Sequence, residues 1–293
     1  MTIERRVERM FNPGGSTPVG TGFPLVPFAS LPAASTVEGQ VRRLTELPHV
    51  SLIALGGIWR PLNGRATLYH RNANPITIQS LTPQDAEIVT FPGGLVRAGM
   101  RVNIDQRVRI TGIGSGSRTI WDYLGPVGSS SQTAGSVAYN TSSSAANETR
   151  KLSTIECLAD GSATHLGGSS QPSGMQYNST VWTPVVDFSL PWEARVAMQS
   201  AAETTVGIST ASWAANVVTF DTTAAHTLAV GDKTVVGGVT PSGYNGTYVV
   251  VSVPSTTRFT AELLTDPGAY TSGGTSSRIS NMILKTLTIT LEG

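Results

Sequence analysis

The sequence predicts an all-β protein of two folded units behind an N-terminal arm, and three observations predict it. Gly 31 and Pro 17 in 293 residues, among abundant Ser, Thr and Ala, suit many turns between short strands better than long helices. Arg101 to Ile110 alternates: apart from Gln106 the even positions are apolar, and the odd ones are Arg101, Asn103, Asp105, Arg107 and Arg109. A period of two marks a half-buried strand, one face in a core and the other wet. From Val206 short strands crowd together and then give way to Met282–Leu291, an alternating strand of full length. The preceding long-unit strand, Arg195–Gln199, lies about 80 residues earlier, too far for an ordinary loop, so a small β-module is expected to interrupt the larger unit before its last strand.

In chain order, Ile3, Val7 and Met10 fall on one face of a short helix that is too short to stand alone in water. Phe11 and the proline-punctuated apolar strip Phe23-Pro24-Leu25-Val26-Pro27-Phe28 follow, and extended backbone is expected there. An apolar strip outside any core is explained by docking, so Ile3, Val7, Met10, Phe11, Phe23, Leu25 and Val26 are the candidate docking residues of an arm spanning residues 1–27. Residues 28–58 read as a small strand pair, Gln40–Thr45 and Val50–Leu55, marginal alone and expected to be stabilised by oligomerisation. Gly56–Arg65 marks the change to compact β-structure, with Trp59 expected at the base of the head.

The larger unit is assigned to residues 59–207 plus 278–293. Further strands are predicted at Ala66–His70, Ile76–Ser80, Thr119–Tyr123, Ser153–Leu158, Val181–Phe188 and Arg195–Gln199. Gly125–Asn147, poor in apolar anchors, reads as a long exposed loop. The module, residues 208–277, carries strands at Val217–Phe220, Thr234–Val236, Thr247–Val253 and Phe259–Leu263, separated by Gly, Pro and Asn turns.

Net charge is +1 and only 13% of residues are charged, which gives no nucleic-acid footprint. The single cysteine, Cys157, cannot form an intrachain disulfide and reads as a core residue. Met1–Met10 lacks the apolar run of a secretion signal and no segment has the length of a membrane helix, so synthesis in a cytoplasm without membrane insertion is expected.

No catalytic, cofactor or metal pattern emerges. His49, His70, His165 and His226 are scattered without ligand spacing. Gly112–Ser117 lacks the lysine and the helix of a phosphate loop and reads as a glycine-rich turn. Asp187 and Glu193 are the one carboxylate pair that a glycosidase reading could use. Trp121 and Trp182 are assigned to the core, while Tyr177, Tyr244 and Tyr270, on turn-rich segments, are the candidate glycan contacts.

With these residues in view, the chain resembles tailed-bacteriophage virion surface proteins, the fibre and decoration proteins with a trimeric jelly-roll (tumour-necrosis-factor-like) knob. The resemblance rests on Phe28-Ala29-Ser30-Leu31-Pro32-Ala33-Ala34, on Gly57–Arg65, on Phe91–Val102 as a turn into a long strand, and on the closing Thr286–Leu291. Gly237–Tyr248 and Thr265–Gly274 are similar to a small β-module recurring in phage structural proteins. The resemblance implies a jelly-roll-like β-sandwich head, a homotrimer, capsid or tail partners, a place on the virion, and attachment to host surface glycan. Three other readings are a tail-fibre adhesin, a capsid-stabilising cement protein and a glycan-degrading depolymerase using Asp187 or Glu193.

Overall fold

Short β-rich segments broken by glycine and proline fold as strands throughout. The computed structural model describes residues 25–45, 47, 50–112, 117–128, 133–140, 147–157, 163–170 and 187–293. A first group of strands comprises β1 (Leu25–Val26), β2 (Val41–Leu44), β3 (Ser51–Leu55) and β4 (Ile58–Pro61). The next group runs β5 (Arg65–Arg71), β6 (Ile76–Ile78), β7 (Gln84–Phe91), β8 (Arg101–Thr111), β9 (Ser117–Pro126), β10 (Thr133–Asn140), β11 (Asn147–Cys157), β12 (Ala163–Ser170) and β13 (Trp192–Gln199). Then come β14 (Val206–Ala214), β15 (Val217–Thr222), β16 (Lys233–Thr240), β17 (Gly246–Ser255), β18 (Arg258–Glu262) and β19 (Ser272–Arg278), and the last strand is β20 (Asn281–Glu292).

The pairing identifies a jelly roll. One sheet runs β12-β11-β8-β20-β5 and the other β10-β9-β13-β7. β9 pairs antiparallel with β10, β8 with β11, β7 with β13 and β5 with β20. These are the successive rungs of one long antiparallel hairpin whose tip lies between β9 and β10. Rolling that hairpin up places its rungs alternately in the two sheets, which is the wind-up of a jelly-roll sandwich. β12 is an added edge strand beside β11, and β6 pairs with β20.

Inward residues of both sheets meet in one core. Ile104 and Val108 of β8, Ile120 and Leu124 of β9, and Leu287 and Ile289 of β20 are buried with no or almost no exposure. Trp192 lies against Phe91 with ring centroids 4.5 Å apart and edge-on to Phe188 at 5.3 Å, a favourable aromatic geometry. Cys157 is buried, as its core assignment requires.

The four strands β1 to β4 make a sheet of their own in that order. This neck does not stand alone, because Leu44, Val50 and Leu52 belong to the same core as the sandwich. Packing within the chain therefore supports the neck. Trp59 packs against that core half-buried, and its Nε1 donates to the Pro32 carbonyl at 2.9 Å, which ties β4 to the segment leading into the neck. Leu25 and Val26 pair in parallel with Arg43 and Leu44, so they belong to the neck sheet rather than to a free arm.

β14 to β19 close into a barrel in the order β14-β15-β18-β17-β16-β19. The chain leaves the sandwich after β13 and returns to it as β20, and the barrel lies between. Its core is aromatic: Phe220 stacks on Phe259 at 5.1 Å and meets Tyr248 and Tyr244 edge-on. The two connecting segments run side by side, with an Ala202–Ile279 bridge and backbone bonds from Ser280 N to Ala201 O and from Glu203 N to Arg278 O. Arg278 reaches Asp232 at 2.9 Å and Glu203 at 3.7 Å. Gln79 of the sandwich accepts from Lys233 N of the barrel at 3.1 Å and donates to Ile279 O at 2.9 Å. Gly112 sits at this joint with φ +111°, a backbone conformation that favours glycine, and a Cβ there would lie 1.8 Å from the Glu203 carboxylate.

Two local expectations are corrected. Gly125–Asn147 is not one long loop, since β9 continues to Pro126 and Thr133–Asn140 forms β10. An edge strand pairs through its backbone on one side and needs few apolar side chains, which is why its composition resembled a loop. Residues 181–186 of the predicted Val181–Phe188 strand lie outside the described residues, and Phe188 sits in a turn with its ring buried against Trp192.

Candidate functional site

Strand β9 decides what the sandwich shows to solvent. Its alternation turns Arg118, Ile120, Asp122 and Leu124 inward, all buried, and Thr119, Trp121 and Tyr123 outward, all half-exposed. Across the ladder Tyr123 pairs with Arg195 and Trp121 with Ala197 of β13, while Ala197 in turn pairs with Asp85 of β7. Three neighbouring strands thereby bring an aromatic pair, a cation and a carboxylate onto one outer face. Pro83, Gln84, Asp85, Tyr123, Arg195 and Ala197 line an open cleft of about 410 Å³.

The geometry inside the cleft is specific. The Arg195 guanidinium carbon lies 4.4 Å from the centre of the Tyr123 ring, a cation–π contact. Its Nε is 3.5 Å from Asp85 Oδ1, with Arg195 largely covered and the Asp85 carboxylate well exposed. Burial pushes the Tyr123 phenol above its ordinary value, Arg195 pulls it back, and Asp85 adds a smaller push upward. Tyr123 is therefore a neutral hydroxyl at physiological pH. The cleft combines hydroxyl, guanidinium, amide and carboxylate groups with aromatic surface. No group of His, Cys, Asp and Glu fit to hold a metal occurs among the described residues.

Directly beneath, the strand is pinned from inside. Asp122 Oδ2 lies 2.6 Å from Lys151 Nζ of β11, Oδ1 accepts from Gln106 Nε2 of β8 at 2.6 Å, and the Ser153 hydroxyl also donates to Oδ2. Asp122 belongs to one sheet, the other three to the facing sheet, and all four are buried. Burial pushes the Lys151 ammonium down and the Asp122 carboxylate opposes that shift. The register of β9, and so the outward aim of Trp121 and Tyr123, is locked by this charged cross-tie.

The residues singled out from sequence fare differently. Tyr244 is 1% exposed, and its hydroxyl donates to Gly268 O at 2.8 Å inside the barrel, so it is a core residue and not a surface contact. The turn that carries it folds inward because the ring completes the Phe220 cluster. Tyr270 is half-buried against the barrel core, with its hydroxyl directed to Ile208 O and Gly273 O. Tyr177, Ile3, Val7, Met10, Phe11 and Phe23 lie outside the described residues, as do Trp182 and His49. Leu25 is 54% exposed at the neck edge. Asp187 and Glu193 sit in different surroundings: Asp187 accepts from Ser189 N and Oγ in an exposed turn, whereas Glu193 is buried and accepts from Gly128 N at 3.1 Å. Those Ser189 bonds hold the Asp187 carboxyl below its ordinary range, the opposite of what a general acid needs.

Trp121 is the residue that sequence reading misplaced. The signal was present: Ile120 and Leu124 share one phase, which puts Trp121 and Tyr123 in the other. Choosing between the phases required knowing that Asp122 finds Lys151.

No family model matches the chain, and no curated protein sequence matches it. Among solved structures it is similar to the CBM2 module of the evolved Dit of Lactobacillus casei BL23 phage J-1, at 9% identity, covering 77% of this chain and 95% of that one with a TM-score of 0.22. A likeness of that size carries no argument about function.

Proposed function

We propose that this chain is a non-enzymatic structural protein of a bacteriophage particle, a homotrimer that docks through its N-terminal residues and contacts host surface glycan with its head. The observation that carries the binding half is the outward cleft at Tyr123, Arg195 and Asp85. The jelly-roll winding supports the virion half, because it is the fold that the resemblance of Phe28–Ala34, Gly57–Arg65 and Thr286–Leu291 to fibre and decoration proteins implies.

The test uses the full chain. Purified protein should sediment as a trimer and be retained on host envelopes. Tyr123→Ala and Arg195→Ala should each lower retention by roughly 10-fold or more with the fold intact, as loss of a central anchor does. Deletion of residues 1–24, which spares β1 of the neck sheet, should leave a folded trimer that no longer joins particles. Undiminished retention in both cleft variants sinks the binding half, and incorporation of the truncated chain sinks the docking half. Release of reducing ends from host polysaccharide, abolished by Glu193→Gln, would replace the proposal with a depolymerase.

A further inference from the structure

The cleft's charges are already matched to each other, and this bears on what it can hold. Arg195 is the cation lining it and Asp85 the carboxylate, and the two face one another at 3.5 Å. An anionic sugar would have to displace Asp85 from Arg195 and sit beside a second negative charge. A neutral sugar meets neither cost. Adjacent hydroxyls can donate to the carboxylate and accept from the guanidinium at once, because each ring hydroxyl is both donor and acceptor.

The stacking surface is also decided by geometry. The guanidinium covers one face of Tyr123. Trp121, two residues along β9 and so on the same outer face, stands across from Ala197, the small side chain on the cleft floor. Consecutive outward residues of a strand are about 7 Å apart, a spacing that lets one sugar ring lie on the indole while its neighbour reaches the Arg195–Asp85 pair.

Resting on the glycan reading above, we infer that the cleft selects neutral glycan chains, with Trp121 as the stacking platform and Asp85 as the residue that excludes acidic sugars. The ligand class is a neutral hexose polymer; uronate or phosphate-bearing polymers are rejected.

The experiment measures binding of the full chain to a neutral glucan or mannan and to a uronate polymer of similar length, at low and high salt. Neutral polymer is expected to bind with little salt dependence, since no net charge is neutralised. Trp121→Ala should weaken it by roughly 10-fold or more. Asp85→Asn keeps the shape of the side chain, and should weaken neutral binding roughly 10-fold by removing a charged acceptor while raising uronate binding. Uronate binding alone by the unaltered chain overturns the inference and leaves the glycan reading standing. Binding of neither polymer, where host envelopes still retain the chain through Tyr123 and Arg195, also overturns it. Loss of envelope retention as well removes both. If acrylamide quenches the oligomer's fluorescence equally with Trp121 and with Trp121→Phe, a second copy covers the face and the inference falls.

Discussion

The sandwich and the barrel solve the same problem, closing β-sheet around a core, with different buried polar groups: the sandwich holds an ion pair between its sheets, while Thr234 and Ser276 of the barrel bond through their hydroxyls at 2.7 Å. The sandwich buries Asp122, Lys151, Gln106 and Arg118 and leaves Trp121 and Tyr123 at its surface. The barrel buries Phe220, Phe259, Tyr244 and Tyr248, and its buried tyrosine hydroxyls reach only backbone carbonyls. Apolar core positions tolerate volume-conserving hydrophobic swaps, whereas a buried charge network favours one register at a cost in stability. A slip of one residue along β9 would turn Tyr123 of the cleft and the neighbouring Trp121 inward.

Lys151→Met probes that contrast with the largest effect. It strands Asp122 without its cation, so the sandwich should lose about 3–5 kcal/mol in urea unfolding. Adding Asp122→Leu should recover most of that loss, and the doubly changed protein should bind glycan more weakly because its register is no longer enforced. Recovery of both stability and binding would show that the charges do not specify the register.

Arg278→Leu acts where the two regions meet. It removes the cation that Asp232 and Glu203 share, leaving Glu203 the attraction of Arg118, and a cost of about 2 kcal/mol is expected after allowance for partial exposure. Limited proteolysis should then cut near residues 200–206 and 278–281, which the unaltered protein resists.

Tyr244→Phe is the barrel's counterpart, keeping the ring and orphaning the Gly268 carbonyl; about 1 kcal/mol of barrel stability should go, with no change in glycan binding. A binding defect would restore Tyr244 as a contact.

The smallest effect is a pH effect. Arg258 holds the Asp221 carboxyl below its ordinary value. A carboxyl whose folded value is lowered contributes stability above its unfolded value, near about 3.9, and loses it as pH falls through the lower folded value. The pair is exposed on the Arg258 side, so solvent screens it and the contribution is small. The Asp221→Asn protein should therefore melt slightly lower than the unaltered protein above pH about 4, and the difference should vanish in more acidic melts.

Much of the fold could be read from residue order. β8 and β20 announce themselves by period two, and the distance between Gln199 and Met282 signals the interruption that the barrel fills. β10 could not be read, since Ser, Gly and Ala at an edge pair as well as they loop. The cleft was hidden by a conflict inside β9, where Trp121 and Tyr123 on one phase outweigh Ile120 and Leu124 on the other until Lys151 is known to neutralise Asp122. Tyrosines misled for a related reason. Tyr244 follows Pro241 and Gly243 in a turn, and only the barrel's closure shows that the turn points its ring at Phe220.

The paired connections to the barrel have a mechanical meaning. They continue from β13 and into β20, which are interior strands of opposite sheets, each flanked by hydrogen-bonded neighbours on both sides. A pull applied to the barrel is therefore divided between the two layers at their best-anchored strands, so that neither sheet can be peeled from an edge. A head built this way can be tugged by whatever the barrel touches and still hold the shape of the cleft.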